Sequence, residues 1–176
     1  MIEPRHLIKA EAPYLRSFML EVVHTAHRRG IHAIGGASEY VPRINQPKAT
    51  QDAKINLVKE KIREAELGFD GSWVVHPMLV EPARKCFQTV IMSAVNQKHK
   101  LADQKQEWEL YPFENSRVGE DFGLTVEKND IKRSVRVCLI YFFHWLKGSG
   151  AVAFDNQMEV SSTVDICRVL LWVWLH

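Results

Sequence analysis

The sequence predicts an α/β chain in which parallel βα units precede a mainly helical second half. Two observations predict this class. Up to about residue 95, amphipathic helical patterns alternate with short apolar segments that end at Gly or Pro, and beyond about residue 125 helical patterns dominate. Such alternation is typical of a parallel sheet covered by helices. Because two parallel strands do not make a stable sheet alone, we expect another chain or a preceding segment to complete it.

The first part of the chain contains three predicted helices and two predicted strands. They are a helix at 13–29, a strand at 31–36, a helix at 50–67, a strand at 71–77 and a helix that begins at Pro82. Gly30 and Gly68 follow the first two helices, and glycine is the usual residue at a helix C-terminus. Pro77 ends the second strand, which we expect to be buried, because proline lacks the N–H group that a strand ladder needs.

The second part of the chain is predicted to be a helix, a short strand, a polar turn and a final helix. Residues 96–124 are polar and contain glycine and proline, so we interpret them as a linker. An amphipathic helix is predicted at 130–147, and an apolar strand around Phe154. Ser162 and Asp165 have the spacing of a capping box at the start of the final helix. That helix is apolar nearly all round, so we expect it to be buried on several sides.

Composition and charge exclude several classes of function. The net charge of +2 on 176 residues gives no argument for a nucleic-acid or membrane partner. The three cysteines lie far apart without metal-ligand spacing, and the N-terminus lacks the apolar core of a signal peptide, so we expect an intracellular, reducing compartment. The apolar run 169–175 is too short to span a bilayer, which needs about 20 residues.

Several ordered blocks of the sequence resemble malate synthases. They are residues 27–36 (His-Arg-Arg-Gly-Ile-His-Ala-Ile-Gly-Gly), 61–65 (Lys-Ile-Arg-Glu-Ala), 68–77 (Gly-Phe-Asp-Gly-Ser-Trp-Val-Val-His-Pro) and Tyr141 with 145–148 (Trp-Leu-Lys-Gly). Met158 and Glu159, followed by Thr163, Ile166 and Arg168, are in step with the family's Met-Glu-Asp-Ala-Ala-Thr signature. The resemblance implies a partial TIM-type βα barrel, of which this chain holds only the last strands.

The resemblance also implies a domain organisation. We expect residues 1–95 to be the C-terminal part of the barrel, 96–124 a polar linker and 125–176 the start of the helical C-terminal domain that plugs the barrel mouth. Because the chain stops directly after an apolar helix, we expect this plug to be truncated.

The activity implied by the resemblance is the acyltransferase reaction of the glyoxylate cycle. Acetyl-CoA, glyoxylate and water give malate and CoA, with a carboxylate base, a cationic group for the enolate oxygen and Mg²⁺. The family's base is the Asp after Met-Glu, and this chain has Val160 there. The family's catalytic Arg and its metal-binding Glu and Asp belong to earlier strands, so we expect no metal ligands here. We therefore expect the chain alone to be inactive.

Other residues have a functional and a structural interpretation. Glu159 or, more weakly, Asp155 could replace the missing base, although neighbouring residues on a strand point in opposite directions. By resemblance, His76 and Pro77 lie near CoA, and Met158 borders the acyl-CoA channel. The structural alternatives are a histidine that caps a turn and a methionine in the core.

The histidines of the first helix have a metal interpretation and a structural one. His24 and His27 lie three residues apart, with His32 nearby, but no further ligand pattern supports a metal site, so we interpret them as surface and helix-end residues.

Two alternative functions remain open for the whole chain. One is a non-catalytic remnant that acts as a binding or assembly module and self-associates through exposed apolar faces. The other is a different barrel enzyme that acts on CoA thioesters, similar to citrate lyase. The compartment stays open among peroxisome or glyoxysome, mitochondrion and cytoplasm.

Overall fold

The computed structural model describes residues 13–43, 45–100 and 126–176. These residues belong to two compact units, which we call the N-terminal unit (13–100) and the C-terminal unit (126–176) and describe separately. Residues 1–12 of the predicted barrel domain and 101–124 of the predicted linker lie outside the described residues. The first residues assigned to the linker, 96–100, pack onto the N-terminal unit: the Gln97 amide donates hydrogen bonds to the carbonyls of Ala65 (2.9 Å) and Phe69 (2.7 Å).

The N-terminal unit alternates helices with two short parallel strands. Its elements are α1 (Pro13–Arg28), β1 (Ile34–Gly35), α2 (Pro47–Leu67), β2 (Gly71–Ser72), a 3-10 helix (Pro77–Leu79) and α3 (Val80–Ile91). Ile34 pairs with Gly71 and Gly35 with Ser72 in parallel. The predicted parallel βα arrangement is therefore confirmed, and no closed barrel is formed by the described residues.

Both strands are shorter than predicted. The backbone groups beside the ladder are bound by side chains: Asp70 accepts the N–H of Ala33, and the Lys61 ammonium donates to the carbonyl of Gly36. After Ser72 the chain leaves the sheet, and Trp73 is 70% exposed. The prediction of a buried strand through 71–77 is therefore wrong.

Helix α2 begins at Pro47, three residues earlier than predicted. Proline suits the first helical position because its φ is fixed near the helical value and it needs no hydrogen-bond acceptor there. At the other end, Gly68 has the left-handed φ of +112°, and its N–H donates to the carbonyl of Ala65 at 3.1 Å. A Cβ at Gly68 would also lie 3.1 Å from the Val23 side chain. The backbone conformation and the close contact both favour glycine at this position.

Two apolar clusters form the core of the N-terminal unit. The larger one joins α1 and the C-terminal half of α2 to α3 and consists of Val23, Ala26, Ala33, Ala65, Phe69 and Phe87. The smaller one joins α2 to the start of α3 and consists of Leu57, Leu79 and Ala83. These clusters fix the helices against the ends of both strands.

The C-terminal unit consists of two helices and a β-hairpin. Its elements are α4 (Lys128–Trp145), β3 (Ala151–Phe154), β4 (Gln157–Val160) and α5 (Ser161–Leu175). We predicted one strand followed by a polar turn, but residues 157–160 form a second strand, antiparallel to the first. Asp155 (φ +47°) and Asn156 (φ +62°) form the two-residue turn. Positive φ at both turn positions matches the twist of a hairpin, and Asp and Asn tolerate it.

The start of α5 is capped by a residue other than those predicted. The hydroxyl of Thr163 accepts the N–H of Val160 at 2.9 Å, whereas Asp165 pairs with Arg168 at 3.2 Å. The prediction of a Ser162–Asp165 capping box is wrong, because the N-cap is Val160, two residues before Ser162, and the helix begins at Ser161.

One side of α5 is buried within the C-terminal unit. The buried residues are Thr163, Val164, Cys167 and Leu170. On the other side, Val169 is 57% and Trp172 64% exposed. The prediction that this helix is buried on several sides is therefore wrong for the described residues. Within the described ranges, no helix combines the length and apolarity needed to cross a membrane.

Candidate functional site

The β3–β4 hairpin places the predicted site residues on two different faces. Residues that pair across an antiparallel ladder share a face. Met158 pairs with Ala153 and Val160 with Ala151, so these four side chains lie together on one face, which we call the open face. On the other face, Glu159 pairs with Val152 and Gln157 with Phe154.

Helix α4 packs against the second of these faces. Arg133 donates to the Gln157 amide oxygen at 2.9 Å, and the Arg136 guanidinium lies 5.4 Å from the centre of the Phe154 ring. We call this face, which carries Glu159, the helix-packed face. The open face is accordingly directed away from the α4 contacts.

Met158 and Val160 are brought together on the open face. Both side chains are half-buried, and they are two residues apart on the same strand. Val160 also precedes the first turn of α5, where its N–H is bonded to Thr163. Its isopropyl group has no lone pair, so this position cannot accept a proton in any substrate pose.

Glu159 and Asp155, the two possible replacements for a base, are placed elsewhere. Glu159 is 1% exposed and lies on the helix-packed face. Asp155 is in the hairpin turn, 4.0 Å from Arg133. At roughly 3.3 Å per strand residue, Asp155 is at least about 10 Å from Val160 along the hairpin. Neither carboxylate shares the open face with Met158.

His76 and Pro77 lie in the N-terminal unit, after β2. His76 is the N-cap of the 3-10 helix, and its Nδ1 accepts the N–H of Met78 at 3.2 Å. In the neutral ring the proton is therefore on Nε2. Pro77 is exposed as the first residue of this helix. His76 thus has the capping role that we named as its structural alternative, and its contact with CoA stays a prediction.

A buried ion pair supports the carboxyl end of β1, and the sequence analysis did not identify it. Lys61 is fully buried, and its Nζ lies 2.9 Å and 3.0 Å from the two carboxylate oxygens of Glu64 while also donating to the Gly36 carbonyl. All three ammonium hydrogens therefore have acceptors. Burial raises the pKa of Glu64, and the charge of Lys61 opposes that rise only in part. A lysine on the apolar face of α2 was the available sequence signal.

Gly35 is required by this ion pair. A Cβ at Gly35 would lie 2.2 Å from Oε2 of Glu64, whereas a Cβ at Gly36 would have no atom within 4 Å. The Glu64 carboxylate therefore occupies the space of a side chain at Gly35. Active sites of βα barrels lie at the carboxyl ends of the strands, and this ion pair fixes the backbone at such an end.

A second polar network joins α1 to the loops after α2 and α3. The Nδ1 of His27 lies 2.8 Å from the Lys100 carbonyl, and its Nε2 lies 3.0 Å from Oδ2 of Asp70. Since both partners are acceptors, the ring makes both bonds only when each nitrogen carries a proton. The prediction of a surface histidine is therefore wrong for His27, which is buried.

Asp70 is the centre of this network. Its carboxylate accepts the backbone N–H groups of Ala33 (2.9 Å) and Gln97 (2.6 Å) besides the His27 ring. Burial raises the pKa of Asp70, but the three hydrogen bonds and the charge of His27 together outweigh it, so the net shift is downward. Asp70 is therefore a structural carboxylate that stays ionised, unlike a general base tuned towards neutral pH.

A cleft of about 360 Å³ lies between β2 and α3. Its volume is in the range of small-molecule sites. Gly71, Ser72, Arg84 and Phe87 contribute to its lining, but His76 and Pro77 do not. This cleft is thus separate from the residues that resemblance assigns to CoA.

The described residues do not fit the Mg²⁺ ion that the family resemblance implies. In the ranges 13–43, 45–100 and 126–176, no three or more His, Cys, Asp or Glu side chains are grouped to hold a metal. His24 lies 3.8 Å from Glu21, its neighbour one turn away. His27 uses both of its nitrogens in the Asp70 network.

Comparisons with known proteins agree with the two units. The family model for the malate synthase TIM barrel domain matches residues 1–111, and that for the malate synthase C-terminal domain matches residues 125–176.

The chain is also similar over its whole length to curated malate synthases. It is 35% identical to "Malate synthase" of Streptomyces clavuligerus, with all of this chain and 32% of the relative covered. It is 35% identical to "Malate synthase, glyoxysomal" of Zea mays, with 100% and 31% covered, and to the "Bifunctional glyoxylate cycle protein" of Caenorhabditis elegans, with 100% and 18% covered. The chain thus spans about a third of the length of the first two relatives. Together with the fold, the two matching family models show that this chain belongs to the malate synthase family.

Proposed function

We propose that this chain is related to enzymes that catalyse the malate synthase reaction, but that its own residues do not catalyse that reaction. In the reaction, a base removes a methyl proton from acetyl-CoA, the enolate carbon attacks the aldehyde carbon of glyoxylate, and water cleaves the thioester to release malate and CoA. The observation that carries the proposal is Val160 on the open face, and the sequence resemblance assigns this position to the family's catalytic aspartate.

The missing base decides the outcome because the methyl group of a thioester is a weak acid. General-base catalysis contributes about 10²–10⁴-fold. Valine removes this contribution, and Glu159 is on the opposite face of the hairpin. A carboxylate there cannot reach a methyl group placed above Val160 without a rearrangement of the strand pairing.

The role that remains is contact with the acyl-CoA substrate. Met158 is half-buried beside Val160, and its flexible thioether side chain suits an acyl channel. His76 offers an Nε2–H donor after β2, and Pro77 offers an exposed apolar ring. We propose that these three residues contact acetyl-CoA, with glyoxylate as the second small-molecule substrate of the family. We further propose an intracellular, reducing location, in keeping with three free thiols.

A thiol-release assay tests this proposal. The purified chain, checked for folding by circular dichroism, is given acetyl-CoA, glyoxylate and Mg²⁺ beside Val160→Asp and Val160→Asn. We expect no glyoxylate-dependent CoA release from the natural chain. Release by Val160→Asp but not Val160→Asn would identify Val160 as the single lesion. Release by the natural chain would contradict the proposal, and its loss in Glu159→Gln would identify the replacement base.

A second candidate function is an assembly module, and the exposed apolar side chains of the C-terminal unit favour it. Leu146 at the end of α4 is 77% exposed, and Val169 and Trp172 on α5 are 57% and 64% exposed. Large exposed apolar side chains mark an interaction site where they gather into one patch, and this candidate function requires that these residues do so. We expect the isolated chain to self-associate, and Leu146→Lys with Val169→Lys to weaken that association. A monodisperse monomer on size-exclusion chromatography at high concentration would exclude this candidate.

The third interpretation, a citrate-lyase-like enzyme, has the weakest support. Its argument was the strand that ends at His76 and Pro77. The C-terminal malate synthase model matches residues 125–176, where such an interpretation makes no prediction. We therefore do not propose it.

A further inference from the structure

Two of the three cysteines lie side by side in the C-terminal unit. Cys138 is on α4 and Cys167 on α5, and the two helices pack together. The Cys138 sulfur lies 4.0 Å from the carbonyl of Val164, one turn before Cys167 on the same helix. The Cys167 side chain is close enough to the Cys138 thiol to oppose the rise of its pKa that burial causes. Both are free thiols. Neither residue belongs to the face that carries Met158 and Val160.

We propose that Cys138 and Cys167 form a dithiol site that a hydroperoxide oxidises to an intramolecular disulfide between α4 and α5. This proposal is independent of the proposed function, since it needs neither acetyl-CoA nor a base at position 160. In a disulfide the sulfurs are about 2.05 Å apart. The Cys138 sulfur already faces the turn of α5 that ends at Cys167, so the proposed bond needs only rotation about the two Cα–Cβ bonds.

The half-buried Cys138 is the residue that meets the oxidant. Cys167 is buried, so it acts second. The Cys138 sulfur attacks one peroxide oxygen, the O–O bond breaks, and the alkoxide leaves as an alcohol with the thiol proton. The sulfur of Cys167 then attacks the Cys138 sulfenic acid, the S–S bond forms, and hydroxide leaves as water with the second thiol proton. In total, two thiols and one hydroperoxide give one disulfide, one alcohol and one water.

The electrostatic surroundings set the speed of this reaction. Burial raises the pKa of Cys138, although the nearby Arg168 charge opposes the rise. The thiolate is the attacking form, so oxidation is slow compared with that of an exposed, activated cysteine. The site therefore responds to sustained oxidant and not to brief exposure.

Cys86 provides an internal control because it belongs to the N-terminal unit. Its thiol is buried and donates to the Pro82 carbonyl at 3.2 Å. With three cysteines in the chain, Cys86 has no neighbouring thiol within its own unit. It should remain reduced when the other two are oxidised.

Thiol counting and peptide mapping test the proposal on the full-length chain. The reduced protein is treated with tert-butyl hydroperoxide, denatured, and titrated for free thiols. We expect the count to fall from three to one in the natural chain, and from two to zero in Cys86→Ala. Cys138→Ala should keep two, whereas Cys167→Ala should fall to one without forming a disulfide within the molecule, because Cys138 then stops at the sulfenic acid. Non-reducing digestion should yield one peptide pair that joins residues 138 and 167, and the unfolding midpoint should rise on oxidation and return on reduction.

The natural chain and Cys86→Ala decide the matter even where the other variants fold poorly. Three thiols remaining after prolonged treatment would overturn the proposal. A disulfide found only between two molecules would also overturn it, as would a trapped sulfenic acid at Cys138 with Cys167 still reduced.

Discussion

In the N-terminal unit, charged side chains are buried and bound to the backbone, whereas the C-terminal unit is held mainly by apolar contacts. Lys61 and Asp70 fix the backbone beside β1 through hydrogen bonds to Gly36 and Ala33, and Glu64 pairs with the Lys61 ammonium. In the C-terminal unit the buried residues of α4 and α5 are mostly apolar, for example Val137, Tyr141 and Leu170. Breaking a buried polar network costs much stability because its groups are left without partners. Apolar packing tolerates substitution by apolar residues of similar volume.

This difference teaches where the molecule is sensitive to substitution. Single changes in the buried polar networks should affect stability more than changes at the Val160 face. The proposed replacement of a base by Val160 is therefore compatible with the fold, because the hydrogen bond of this residue to α5 is made by its backbone N–H.

Lys61→Met should have the largest effect. It leaves the Glu64 carboxylate buried without its partner, which costs about 3–5 kcal/mol. The free energy of unfolding by urea is the measurement, with hydrogen exchange of peptides from 13–100 to localise the change. The matched control is Lys61→Met with Glu64→Gln, which removes the uncompensated charge and should recover much of the loss. Equal stability of both variants would contradict our view of the ion pair.

Gly35→Ala should follow in size. The added methyl group overlaps the Glu64 carboxylate, and the required shift costs about 1–3 kcal/mol. The adjacent Gly36→Ala is its matched control, since a Cβ there meets nothing within 4 Å. Thermal unfolding of the two variants side by side should separate them clearly. If Gly36→Ala proved as destabilising as Gly35→Ala, the close approach of Glu64 would not be the reason for glycine.

Asp70→Asn should change the pH dependence of stability. The lowered pKa of Asp70 means that its contribution is fully present above the ordinary aspartate pKa of 3.8 and is lost as pH falls below that value towards the folded-state pKa. We expect the variant to lose about 1–3 kcal/mol at neutral pH. Between about pH 5 and about pH 2.5, a range around the ordinary aspartate pKa, the natural chain should lose free energy of unfolding as pH falls. The Asp70→Asn variant should not show this loss. An equal loss of stability at low pH in the natural chain and the variant would show that other groups dominate the pH dependence.

Glu60 and Glu64 change the pH dependence of stability in the direction opposite to Asp70. Burial raises the pKa of both carboxyls, so each disfavours the folded state when ionised, and this cost is relieved as pH falls through their raised pKa values. Glu60→Gln should therefore be more stable than the natural chain at neutral pH. Its free energy of unfolding should also depend less on pH above 4.5, the ordinary glutamate pKa. An unchanged curve would indicate that Glu60 is solvated in the folded state.

Thr163→Ala should have the smallest effect of the series. It removes the hydroxyl that accepts the Val160 N–H, at a cost of about 1 kcal/mol. The exposed Ser162→Ala is the control, and should change the urea midpoint by less. A larger loss in Ser162→Ala would restore the capping arrangement predicted from sequence.

The sequence predicted the helices well and the strands poorly, for a physical reason. The apolar face of α1 is a pattern of residues three and four positions apart, and Gly68 indicates the end of α2. Neither signal depends on contacts with distant parts of the chain. Strand length depends on partners, and here the Asp70 and Lys61 side chains take the backbone groups beside β1. The hairpin at 151–160 was missed because Asp-Asn is a weaker turn signal than Asn-Gly.

The candidate site was predicted to a similar extent. The alternation of a strand was enough to separate Glu159 from Val160, as the structure does, whereas the shared face of Met158 and Val160 was found only in the structure. The buried roles of Lys61 and His27 could not be predicted, because their partners Gly36 and Asp70 lie 25 and 43 residues away. Spacing along the chain carries no information on such contacts.

The most direct test of the central claim measures the base alone. The chain is incubated with acetyl-CoA in deuterated buffer without glyoxylate, and deuterium in the methyl group is followed by mass spectrometry. Our account predicts no exchange above the buffer rate for the natural chain, because Val160 cannot take the proton and Glu159 is on the other face. Exchange by the natural chain that disappears in Glu159→Gln would contradict this account, since a carboxylate would then reach the substrate after all.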